Sequence, residues 1–199
     1  RFTNAPHIAR VYSARARNGF VSKDLPSEGL ARRRENTQHV DREPPSDLTL
    51  RCASPEDTRR LAARLAPALA GGEWLLLRGP LGAGKTTFVR GLAAALGWEG
   101  TVRSPTFNLV AAYPTRPRLI HVDLYRLEQP AAVEDLGIDD LAGEEPAVVA
   151  VEWPDLLTDR PSREPVLRID IEPSGELRLI TLHPLTPPAA RLLEAVREG

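Results

Sequence analysis

The 199-residue chain carries 26 basic and 27 acidic side chains, a near-neutral balance that sends no bulk electrostatic signal for nucleic acid. It has no run of about eighteen apolar residues and no apolar secretory core at its start, so neither a membrane span nor export is expected, and the default compartment is the cytoplasm. The single cysteine, Cys52, can form neither an internal disulfide nor a zinc cluster and reads as a small buried hydrophobe.

Residues 1–46 hold three consecutive arginines (Arg32 to Arg34) among scattered Ser, Asn and Pro, without sustained strand or helix periodicity. The expectation is a disordered basic N-terminal extension, or an upstream extension of the reading frame in keeping with the absence of methionine. An RNA-binding arm is the competing reading, and Asp24, Glu28, Glu35, Asp41 and Glu43 dilute its charge. An organelle transit peptide would carry fewer acids.

From Leu48 the pattern changes to strands alternating with helices, which argues for one α/β domain over 47–199 with a mostly parallel sheet flanked by helices. LTLRC (48–52) reads as a strand, and 54–69 as a helix with Ser54 at the N-cap, Pro55 at N1 and Asp57 at N3, closed by Gly71 and Gly72. EWLLLRG (73–79) is a short continuous apolar run, as expected of a central strand covered on both faces. A glycine-rich turn and a helix over 85–97 follow. FNLVAAY (107–113) and RLIHVDLY (118–125) suggest a hairpin, and PAVVAVEW (146–153) another buried strand. The alternating segments 165–173 and 175–184 flank Pro173-Ser174-Gly175 and predict an antiparallel hairpin at the C-terminal edge of the sheet. A helix over 187–198 ends the chain.

GPLGAGKT, Gly79 to Thr86, fits G-x-x-x-x-G-K-[ST] without a mismatch, directly after an apolar strand and directly before a helix. Gly82 and Gly84 let the backbone curl around Ala83 so that successive N–H groups point inward at phosphate oxygens, and the helix N-terminus adds its unpaired donors. Among 26 cationic residues only Lys23 and Lys85 are lysines, and Lys85 stands where a compact point charge suits β- and γ-phosphates better than a planar guanidinium. Thr86 offers a hydroxyl to Mg²⁺, and Thr87 a cap or an α-phosphate contact.

Such a loop needs an acid for the magnesium or for an attacking water. Glu152 ends the apolar run AVVAV, at the carboxyl end of a buried strand where open α/β sheets place ligands. Asp123 shares one strand face with His121 and Tyr125, opposite Ile120, Val122 and Leu124. The apolar set looks to a core, so the polar set faces solvent, a partner or the nucleotide crevice. Ser104 and Thr106 in SPTF lie at the distance where other phosphate-loop proteins carry a γ-phosphate-sensing segment, although Ser-Pro-Thr is also a common turn. No Asn/Thr-Lys-x-Asp loop reads guanine, so GTP is not expected. A small-molecule kinase with Arg160 and Arg163 in a lid stays open, as does an ATP-gated binding module in which hydrolysis is incidental.

Taken together, GPLGAGKTTFVRGLAAALG, SPTFNLV, HVDLYRL and VEWPDLL, in this order, resemble the TsaE (YjeE) family, P-loop ATPases of bacterial tRNA threonylcarbamoyladenosine biosynthesis. The likeness covers about residues 48–185. It implies a P-loop fold, ATP and Mg²⁺ as cofactors, and partner-dependent hydrolysis of ATP. The implied partner is a TsaD–TsaB heterodimer, which transfers a threonylcarbamoyl group to the adenine beside the anticodon of ANN-decoding tRNAs. ATP hydrolysis would drive a conformational or resetting step. By the same likeness Gly82 to Thr87 hold the phosphates, Thr86 and Glu152 serve Mg²⁺, Asp123 lies near the γ-phosphate, and Trp153 abuts the site. Lys85, Asp123 and Glu152 are the catalytic candidates, and the resemblance implies adenine contacts at the start of the first helix and the turn at Gly175.

Overall fold

Runs of Leu, Val and Ile without polar alternation need cover on both faces, and such runs occupy the middle of the sheet. The computed structural model of the chain describes residues 10–12, 47–158 and 164–198. Their strands are β1 (Arg10–Tyr12), β2 (Leu48–Cys52), β3 (Trp74–Arg78), β4 (Val110–Tyr113), β5 (Arg118–Asp123), β6 (Ala147–Glu152), β7 (Val166–Ser174) and β8 (Leu177–Pro184). They make one sheet in the order β1-β4-β5-β6-β3-β7-β8-β2. The central strands β5, β6, β3 and β7 are parallel, and the strands outside them are antiparallel to their neighbours.

The helices are α1 (Pro55–Leu65), α2 (Lys85–Ala95), α3 (Ala131–Glu134), α4 (Ile138–Gly143) and α5 (Ala190–Glu198). On one face of the sheet, Leu61, Phe88, Leu92 and Leu193 from α1, α2 and α5 pack on Leu75, Leu77, Leu167 and Ile169. On the other, Val133, Ile138 and Leu141 from α3 and α4 pack on Trp74, Leu76, Ile120, Val122 and Val151. Phe88 is fully buried, so its truncation to alanine would cost about 3–5 kcal/mol and loosen the helix that carries the glycine-rich loop.

The N-cap of α1 forms as its sequence implies. Ser54 Oγ accepts from the Asp57 N–H at 3.1 Å, and Asp57 Oδ2 accepts from the Ala53 N–H at 3.0 Å. The helix then gives way at Ala66–Ala68 to a 3₁₀ turn containing Pro67, whose missing N–H cannot extend the α-helical ladder. The hairpin of β4 and β5 is present, although Phe107 and Asn108 belong to a turn rather than to β4.

Two features differ from expectation. The β7–β8 hairpin lies on the predicted side of the sheet but is not its edge, because β2 pairs with β8 and takes the outer position. The segment 126–145, to which the sequence assigned no element, contains α3 and α4, of four and six residues, too short to show a helical period. Within residues 1–46 the described part is β1, which pairs with β4; the disorder expected for the remainder, and the lid reading of Arg160 and Arg163, lie outside the described residues.

Candidate functional site

The glycine-rich loop leaves the carboxyl end of β3 and enters α2 through Gly84, whose φ of 116° closes the loop in the left-handed region that a side chain disfavours. Gly79, at the loop's entry, has a different duty: a Cβ there would sit 2.2 Å from the Ile171 carbonyl oxygen of β7. Gly82, Gly84, Lys85, Thr86 and Thr87 line a cleft of about 330 Å³ together with both candidate acids. Ala83 instead faces a second cavity of about 120 Å³, bounded by Ser54, Thr58 and Arg178, and Thr87 borders both.

Lys85 Nζ donates to the carbonyls of Gly79 at 2.8 Å and Pro80 at 2.9 Å, and lies 3.8 Å from the centroid of the Trp153 ring. Burial pulls its ammonium below the ordinary lysine value, with the charges of Glu152 and Asp123 working against that shift. An anion in the cleft would restore the favourable environment that burial removes. Trp153 reaches this position from a backbone with φ 59° and ψ 56°, rare for a bulky residue, and its ring also meets Tyr125 at a centroid distance of 5.0 Å.

Asp123 and Glu152 are register partners at the ends of β5 and β6. Leu119 and Val148 on these strands belong to the core under α1 and α2, so strand alternation puts His121, Asp123 and Glu152 on that same face, beneath the loop. The polar face of β5 is therefore not a solvated one: His121 is fully buried and Asp123 is 2% exposed. Tyr125 has left the strand and is half exposed at the mouth of the cleft.

Each acid is held by hydrogen bonds, Asp123 through both of its oxygens and Glu152 through one. Glu152 Oε1 accepts from Thr86 Oγ1 at 2.8 Å and lies 2.9 Å from His121 Nε2. Asp123 Oδ2 accepts from Ser104 Oγ and, at 2.5 Å, from Thr106 Oγ1, while Oδ1 accepts from the Tyr125 N–H at 3.0 Å. A hydroxyl whose proton is taken by a carboxylate keeps its lone pairs for a cation, so the donor set Thr86–Glu152 suits a hard divalent ion beside phosphate. Sequence reasoning did not single out Arg90, which lines the cleft while its Nε donates to the Val102 carbonyl at 2.9 Å. A helical arginine one turn beyond Thr86 was its only signal.

The family model for the threonylcarbamoyl adenosine biosynthesis protein TsaE matches residues 52–179. This chain belongs to the TsaE family. It is 46% identical over 121 residues to the tRNA threonylcarbamoyladenosine biosynthesis protein TsaE of Aquifex aeolicus, covering 59% of this chain and 83% of that protein. The protein of the same name from Mycobacterium tuberculosis is 38% identical over 138 residues, covering 63% and 80%. The crystal structure of Bacillus subtilis YdiB superposes with a TM-score of 0.65 at 30% identity, over 77% of this chain and 95% of that one. The matched span contains the loop, both acids, Ser104, Thr106 and Trp153, and begins at Cys52, past the N-terminal segment. Family membership and the α/β architecture with a parallel centre agree with the sequence reading. Among the described residues, no helix is long and apolar enough to cross a membrane.

Proposed function

We propose that this chain is the ATP-binding and ATP-hydrolysing component of the tRNA threonylcarbamoyladenosine machinery, acting in the cytoplasm. It would work with a TsaD–TsaB heterodimer on the adenine next to the anticodon of ANN-decoding tRNAs. The observation that carries the reading is the hydrogen bond between Thr86, at the start of α2, and Glu152, at the end of β6. It joins a phosphate loop to an acid at the carboxyl end of the sheet, where ligands of such folds bind. Relatives named for tRNA threonylcarbamoyladenosine biosynthesis support the process.

In this reading the loop amides and the N-terminus of α2 cradle the phosphates. Lys85 turns from its own loop carbonyls toward phosphate oxygens, and Thr86 and Glu152 hold Mg²⁺, which when bound neutralises charge developing on the transferred phosphoryl group. Thr87 lies between the cleft and the second cavity, a position that suits the α-phosphate, with the base entering beside Ser54 and Arg178. Ser104 and Thr106 respond to the γ-phosphate by exchanging their bonds to Asp123.

Phosphate release from ATP, measured with and without a TsaD–TsaB heterodimer, tests the proposal. Stimulation by the heterodimer, together with nucleotide-dependent capture of TsaD and TsaB, is the expected result. Release unchanged by the heterodimer, with phosphate appearing on a metabolite, would replace the reading with a small-molecule kinase.

A further inference from the structure

Strand β5 places a histidine where its neighbours are aliphatic. Leu119, two residues earlier on the same face, is a fully buried core side chain, and His121 is equally buried. Enclosing an imidazole is costly unless it makes a hydrogen bond, so its partner is informative. His121 pairs in register with Ala150, whose small side chain leaves room for the ring to reach diagonally along β6 to Glu152. There its Nε2 lies 2.9 Å from Oε1, the same oxygen that accepts from Thr86.

We infer that His121 is a positioning residue for Glu152: its Nε2–H and the Thr86 hydroxyl saturate one carboxylate oxygen, so that the other is presented to a divalent cation in the cleft. The inference rests on the proposed phosphate site. Two observations determine where the proton lies. An unprotonated Nε2 would set a lone pair against the lone pairs of Oε1, a repulsive contact. His121 Nδ1 is buried without a partner, and a bare lone pair there is less costly than an orphaned N–H. Both favour the neutral tautomer with its proton on Nε2, donated to Oε1. Among the described residues no hydrogen bond reaches Oε2 of Glu152, while the residue lines the cleft. A carboxylate with one oxygen fixed by two donors cannot rotate away from a metal, which is how outer-shell partners tune affinity.

The test uses the full chain with a non-hydrolysable ATP analogue, and Mn²⁺ binding followed by electron spin resonance. His121→Leu should weaken Mn²⁺ affinity about 10- to 100-fold while metal-free nucleotide affinity stays unchanged, the range set by loss of outer-shell partners. His121→Gln, which can place an N–H near the Nε2 position, should recover most of the loss. In a Glu152→Gln background, His121→Leu should have no further effect. A folded His121→Leu protein with native Mn²⁺ affinity, or Leu and Gln variants equally impaired, would overturn the inference and leave the phosphate site standing. If the native chain shows no metal-dependent nucleotide binding, the phosphate reading itself fails, and this inference with it. Nitrogen-15 spectra of the native imidazole need no variant: a proton on Nδ1 rather than Nε2 would sink the idea outright.

Discussion

The ends of β5 and β6 lie side by side, and each carries an acid, yet the two carboxylates hold different parts of the molecule. Glu152 is tied to the helix after the glycine-rich loop through Thr86 and lies within hydrogen-bond distance of His121. Asp123 is tied to the segment between α2 and β4 through Ser104 and Thr106. Both are buried on the same face, and both raise the proton affinity of Lys85. Environment as crude as burial or strand position does not separate them; their hydrogen-bond partners do. One acid is bonded to the helix that follows the glycine-rich loop, and the other to the segment between α2 and β4.

The largest expected difference is in turnover. Glu152→Gln should lower ATP hydrolysis by about 100-fold or more while metal-free ATP affinity by calorimetry changes little, as when an interaction is realised mainly in the transition state. Asp123→Asn should act on residues 104–106 instead, seen as faster amide exchange there. If the two variants gave one kinetic and exchange profile, the division of labour drawn above would collapse.

Stability provides a second separation. Asp123→Ala leaves the two hydroxyls and the Tyr125 N–H without their acceptor, at a cost of about 2–3 kcal/mol in urea unfolding. Thr106→Val removes one of these bonds and should cost about 1 kcal/mol. Thr86→Val should leave residues 104–106 as protected from exchange as in the native chain, and weaken only Mg²⁺-dependent nucleotide binding.

The smallest effect is on pH dependence. Lys85 has a folded pKa below its ordinary 10.5, chiefly through burial. Between that folded value and 10.5 the unfolded chain binds more protons, so the lysine's contribution makes stability rise with pH within this window. Glu152→Gln removes the stronger of the two opposing interactions and should widen the window more than Asp123→Asn does. Urea midpoints across the alkaline range would show whether the slopes fall in that order.

The local parts of the site were legible. The loop's glycines, Lys85 and Thr86 are brought to one cleft by backbone geometry and contiguous residues, so eight consecutive positions carry the signal. Alternation along β5 correctly put His121 and Asp123 on one face. It could not say that α1 and α2 cover that face, because a strand's periodicity distinguishes its two sides without revealing what packs on either. The bonds from Asp123 to residues 17 and 19 positions upstream, and from Glu152 to a threonine 66 positions away, were invisible for the same reason.

What the chain's sequence determines by itself, then, is the alphabet of elements, the glycine-rich turn between β3 and α2 and the resemblance to the TsaE family. These depend on hydrophobic period, turn chemistry and motif spacing, all encoded within a few residues of one another. Tertiary structure alone decided that β2 rather than the final hairpin closes the sheet, and that two neighbouring acids have separate partners. Strand order and diagonal contacts across β5 and β6 arise from pairings distant along the chain, where the balance of burial and hydrogen bonding is struck by the whole fold.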